Sequence, residues 1–338
     1  MSEDFYRADP TPYASWRLAV LMGRNVRTYK FALGHALLEA AARDRTEIPL
    51  TELATTYATG LLRRLEHAPQ ASPNAPTART DLLVIAAEEA AESRRIGRPT
   101  ERLVEAATAN MPGMVMQKFH NLHGSEVPHR FYEVTGRGRD RLVRLTPALR
   151  RVALSDRIDV LRGELRSRWE IVESSFSTGI GPALLAEGLV PDLADGLLYD
   201  RRRRRPVTGV RDAVIGFQHG RCLSCHQPIN ADDEYAVDHV FPYALMDRLG
   251  AHGGWTGPDL DAVWNLAPAH AACNSTKSDR LPNSDELRRL AERNEAVMRS
   301  PVPLRRTLEL VLRNHRYNAA KPGEWRRFVR DVNHLINS

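Results

Sequence analysis

"VDHVFPYA", residues 237–244, closes a short apolar run with an Asp and a His side by side, and Pro242 follows soon after. Adjacent residues of a regular strand point to opposite faces, so one site can receive both side chains only where the strand stops or bends. A proline suits such an ending, because it cannot donate to a sheet ladder. The stretch therefore predicts a strand terminus that presents two ionisable groups, and its surroundings decide what fold holds it.

All three cysteines of the chain fall between 222 and 273. Cys222 and Cys225 form "CLSC", and Cys273 closes "HAAC", which places His270 at HxxC spacing from it. Two corners of two ligands each supply the four soft or borderline donors of a tetrahedral structural Zn²⁺. His219, His226 and His252 lie in the same region as alternative fourth ligands, and His270 has the best spacing. An odd, sparse cysteine count argues against a disulfide framework and agrees with a reducing compartment.

Downstream of the Asp–His pair comes "WNLAPAHAACNSTKSD", 264–279, with Asn265 opening an "NL" step, Asn274 directly after the second cysteine corner and Lys277 three residues further. The order CxxC, DH, NL, HxxCN, K resembles the HNH endonuclease family over residues 206–282. That resemblance implies a ββα-metal fold, a hairpin and a helix wrapped around a divalent cation. It also implies hydrolysis of DNA phosphodiester bonds, double-stranded DNA being the expected substrate, with a 5′-phosphate and a 3′-hydroxyl as products.

The chemistry accounts for the residue types. His239 has the side chain whose ordinary pKa is nearest neutrality and suits a general base. Asp238 suits a hard cation, Mg²⁺ or Mn²⁺, that keeps several of its waters. By resemblance Asn274 supplies a second oxygen ligand, which makes this an H-N-N variant, and the Asn265 amide holds the metal-binding loop to backbone. Lys277 and Arg280 are the expected nucleic-acid contacts. Cys273 and Asn274 are consecutive on one helix, so zinc binding by the first sets where the second points. The segment between His239 and Asn265 is longer than the compact family pattern and keeps a glycine pair, Gly253–Gly254.

The rest of the chain sets this segment in context. Its 338 residues, 42% hydrophobic and 27% charged, can bury a sizeable core. The net charge of +6 is uneven: residues 1–200 hold 26 basic and 26 acidic side chains, residues 201–338 hold 22 and 16. A basic second part suits a polyanionic partner. No stretch approaches a membrane span, and the polar, acidic start MSEDFYRADP differs from a secretory signal, so the expected location is cytoplasmic.

Helical periodicity runs through the first hundred residues, interrupted by the loop "APQASPNAPT" at 68–77, and a further helix is predicted from Thr100 to near Pro112. Residues 129–146 read as a β-hairpin around Gly136 and Gly138. Helix, hairpin, helix is similar to a winged-helix order, with Arg137, Arg139, Arg141 and Arg144 facing either solvent or DNA. "RRRRRPVTG", 201–209, reads as a linker, and three helices are predicted after 283.

The expected fold is α+β and predominantly α-helical. It comprises a helical module at 1–200, the small HNH domain at 206–282 and a helical extension at 283–338. The module suggests target recognition, oligomerisation or docking to a defence-system partner, in restriction or anti-phage defence. Two other functions fit the same residues: a zinc-stabilised nucleic-acid-binding or assembly module without nuclease activity, and an RNase.

Overall fold

Asp81, Thr100 and Thr146 set the starts of three helices: their side chains accept hydrogen bonds from the backbone N–H groups of Leu83, Leu103 and Leu149. Each satisfies a donor that the first turn leaves without an intrahelical partner. In the computed structural model, Thr100 is therefore the cap of its helix and not its first residue. The structure describes residues 2–23, 28–43, 45–65, 81–122, 124–174, 188–192, 194–200, 206–246, 255–300 and 304–337. The loop at 68–77, the arginines at 201–205, His252 and the pair Gly253–Gly254 lie outside the described residues.

Two compact units divide the chain, Met1–Gly179 and Ile180–Ser338. The first contains α1 (Ser2–Ala8), α2 (Pro12–Arg17), α3 (Tyr29–Ala42), α4 (Leu50–Leu65), α5 (Leu82–Ile96), α6 (Glu101–Asn110), α7 (Pro147–Ala153) and α8 (Ile158–Ser174). Its sheet is antiparallel in the order β1-β3-β2, with β1 at Glu47–Pro49, β2 at Tyr132–Thr135 and β3 at Leu142–Leu145. β2 and β3 form a hairpin within 129–146, and Gly136 in its turn has φ 76°, where an added Cβ would lie 2.6 Å from the Asp140 carbonyl oxygen. Only glycine fits that turn without strain. Trp16 meets the Phe131 ring edge-on at 5.2 Å, and both are buried with Phe31, Tyr57 and Phe119. Arg17 and Glu164 form a buried two-pronged pair in the same core.

The second unit opens with an antiparallel sheet, β4 (Leu189–Asp192), β5 (Leu197–Asp200) and β6 (Pro206–Gly209), in the order β4-β5-β6. Residues 206–209 thus form a strand, which corrects their reading as linker: Pro206 sits at the first strand position, where its missing N–H is tolerated. The short helix α9 (Val210–Val214) leads to the cysteine region. β7 (Tyr235–His239) and β8 (Leu266–His270) then pair antiparallel, with Asp238 opposite Ala267 and His239 opposite Leu266.

α10 (Ala271–Lys277) follows β8 directly and packs on both strands, a β-β-α unit in chain order. α11 (Ser284–Val297) begins with a reciprocal capping box between Asn283 and Glu286. α12 (Leu304–Asn314) and α13 (Glu324–Asn337) complete the unit. Trp264, fully buried just before β8, stacks on Trp325 of α13 at 6.1 Å and meets Phe328 edge-on at 5.1 Å. The fold is α+β and predominantly helical. Among the described residues no helix is long and apolar enough to cross a membrane.

Candidate functional site

The knuckle that carries Cys222 and Cys225 is closed by its own backbone: the Cys222 N–H donates to the Gln227 carbonyl, and the His226 N–H to the Cys222 carbonyl. A bond from the Leu223 N–H to the Pro268 carbonyl ties this turn to β8, the strand that ends in His270. Cys273 follows one turn into α10. The ligand atoms of Cys222, Cys225, His270 and Cys273 consequently all lie within 4.8 Å of one another. Ligand bonds of about 2.0–2.3 Å to a tetrahedral zinc require only a small contraction from there.

The histidine is oriented for this role. His270 Nε2 lies 3.0 Å from the Pro228 carbonyl oxygen, which can only accept, so Nε2 carries the proton and Nδ1 keeps its lone pair, 3.4 Å from Cys225 Sγ. A ligating imidazole needs this arrangement, one nitrogen fixed by an outer hydrogen bond and the other free. Burial, the neighbouring Cys225 and Cys222 sulfurs and their charges push the Cys273 thiol up to about 12, so this thiol resists ionising until a cation compensates it. The three cysteines are free thiols. These four residues could hold a metal ion such as zinc; among the described residues His219 and His226 are not part of the group.

α10 links this centre to the strand end. Lys277 closes the helix, and its buried Nζ donates to the Asp238 carboxylate at 3.2 Å and to the His239 carbonyl at 2.8 Å. It clamps β7 where the strand stops, and in this structure its ammonium is engaged with Asp238 and the His239 carbonyl. Arg280 is engaged likewise, in a two-pronged pair with Glu286 at 2.7 Å on both arms. Burial alone would raise the Glu286 carboxyl, but hydrogen bonds from Arg280, the Asn283 backbone and Ser224, with the Arg280 charge, hold it at about 2. Arg280 thus anchors the start of α11.

Asn265 is fully buried, and each of its side-chain atoms is used. Oδ1 accepts from the Phe241 N–H, while Nδ2 donates to the carbonyls of Phe241 and Leu260. It therefore fastens the chain just after His239 to the chain just before Asp261. His239 Nε2 lies 2.9 Å from Asp261 Oδ1, and the Tyr243 ring flanks the imidazole at 5.5 Å. Asn274 stands on α10 directly after Cys273 and one helical turn before Lys277, on the side of the helix that carries Lys277 to β7. The structure thus joins Asp238, His239 and Lys277 by direct contacts, and ties His239 to Asn265 through backbone.

Asp261 is the site residue that sequence reasoning missed. A faint signal exists in "PDLDAVWN", 258–265, an acidic residue four positions before the anchoring Asn. Nothing local distinguishes Asp261 from Asp259, whose side chain instead caps the turn by accepting from the Asp261 N–H. Comparison of the chain with protein-family models, curated proteins and solved structures gives no match.

Proposed function

We propose that this protein is a metal-dependent endonuclease of the HNH type, with its chemistry in the second unit and DNA as its substrate. The observation that supports the reading is the junction of β7, β8 and α10: one strand end presents Asp238 and His239, and the helix that starts at a candidate four-ligand metal centre packs on that strand, carrying Asn274 one turn before the Lys277 that contacts Asp238. A DNA-binding or assembly module has no need of an imidazole held by a carboxylate at such a junction.

In this reading His239 accepts the proton of the attacking water, and the phosphodiester P–O bond opposite breaks to leave a 3′-hydroxyl and a 5′-phosphate. Asp238 and Asn274 are the residues that would hold Mg²⁺ or Mn²⁺. Two protein oxygens suit a hard ion that retains most of its waters, and when bound it supplies positive charge to the crowded transition state and the leaving oxygen. Zinc at the cysteine centre is structural and fixes the direction of Asn274. The basic balance of residues 201–338 supplies attraction to the phosphate backbone. A reducing cytoplasm fits the three free thiols.

The Lys277–Asp238 ion pair favours one alternative, a zinc-stabilised binding module whose carboxylate is already neutralised by an ammonium. A panel of supercoiled plasmid, single-stranded DNA and RNA, incubated with Mg²⁺ or Mn²⁺, separates the readings. Nicking or linearising plasmid, abolished in His239→Ala, supports the DNA endonuclease. Cleavage of RNA alone transfers the reading to an RNase, and cleavage of nothing by wild type sinks the enzyme.

A further inference from the structure

We infer that Asp261 is the positioning residue of His239, fixing which ring nitrogen takes up the proton; the catalytic meaning of this rests on the nuclease reading above. His239 Nε2 and Asp261 Oδ1 are 2.9 Å apart. A carboxylate offers only acceptors, so the proton of this bond sits on Nε2 and the lone pair of the neutral ring sits on Nδ1. No described group hydrogen-bonds Nδ1. The atom left free by Asp261 is the one that can meet a water and a phosphate.

The contact is built into the fold. The Asn265 amide holds Phe241, two residues after His239, and Leu260, one residue before Asp261. The Trp264 indole N–H donates to the Asp259 carbonyl, and the Asp261 N–H to the Asp259 carboxylate, which stiffens the same turn. On the far side, Lys277 Nζ holds the His239 carbonyl. The backbone at both ends of the His–Asp pair is thereby pinned, and the pair distance follows from these ties.

Asp261 has no such need of His239 for solubility or stability. Its side chain is 46% exposed and water would satisfy it, whereas the His239 side chain is only 12% exposed. Exposed ion pairs contribute little to stability, and among the described residues no Lys or Arg pairs with Asp261. The carboxylate acts on the imidazole. By holding Nε2–H it keeps the ring from turning over to point its proton at the substrate, and it stabilises the positive charge that appears when Nδ1 accepts a proton.

The test uses the full-length chain and two readouts. Ring ¹⁵N shifts of His239, recorded where the imidazole is neutral, should show the Nε2–H tautomer in wild type and a mixture in Asp261→Ala. Single-turnover plasmid cleavage should fall on the order of 100-fold in Asp261→Ala with little change in DNA affinity, and recover in part in Asp261→Glu. An unchanged tautomer in Asp261→Ala overturns the inference, as does a cleavage rate equal to wild type. Should wild type cleave no nucleic acid, the nuclease reading falls by itself, and the ¹⁵N shifts still decide whether Asp261 sets the His239 tautomer.

Discussion

Lys30 is buried on α3, its Nζ without a hydrogen-bond partner among the described residues and 5.5 Å from the centre of the Phe119 ring. Burial pulls its ammonium down to about 7 from the ordinary 10.5. Between those values the unfolded chain binds more protons than the folded one, so the Lys30 contribution to stability improves as pH rises through the window and is least favourable below 7. Lys30→Met should therefore stabilise the first unit at neutral and acidic pH, with the advantage over wild type shrinking towards pH 10.5. Urea unfolding of both proteins across that range measures it, and a pH-independent difference would contradict the account. At this scale the sequence speaks unevenly. Asn265 is legible because an Asn before an apolar strand residue must do something with its amide. The Lys277 contact with Asp238 is not legible, since a lysine on a helix looks alike whether it reaches phosphate or a carboxylate 39 residues earlier. Asp261 was hidden because its partner lies across the chain's longest gap between motif residues.

α11 is the element on which the site leans. Arg289 donates to the Leu223 and Ser224 carbonyls of the cysteine knuckle, while the fully buried Arg293 donates to the carbonyls of Leu266 and Trp264, and Asn294 to the latter as well. Desolvation pulls the Arg293 guanidinium down to about 9, yet the two carbonyl bonds keep it useful where it is. Arg293→Met fills similar volume but leaves the Leu266 carbonyl without that donor and weakens the hold on Trp264. The expected loss is about 2–4 kcal/mol in chemical denaturation of the second unit. A loss below about 0.5 kcal/mol, the range of ordinary surface changes, would show that α11 is not a brace. The β-β-α order was legible only as what the resemblance carried by CxxC, DH, NL and HxxCN implies. The brace was not legible, since a carbonyl accepts from any donor and leaves no mark in sequence. β1 escaped for a related reason: three residues, Glu47–Pro49, become a strand only through pairing with β3 almost a hundred residues away.

For the whole molecule, the two units should respond differently to metal. All the cysteines belong to the second unit, so a chelator that strips zinc should lower its melting transition and leave that of the first unit in place. Calorimetry with and without chelator would register this; equal shifts of both transitions, or none, would contradict it. The α+β, mainly helical character was legible because helical periodicity is local; β2, β3 and β7 were marked by a glycine turn and by the Asp–His pair, while β1, β4 and β5, at three or four residues, are too short to announce themselves. The most direct test of the central claim is the single-turnover rate of plasmid cleavage in Mg²⁺ by wild type and His239→Ala, compared at equal zinc content. The account predicts cleavage by wild type and a loss of about 100-fold or more in the variant, the usual worth of a general base; equal rates, with zinc bound in both, would contradict it.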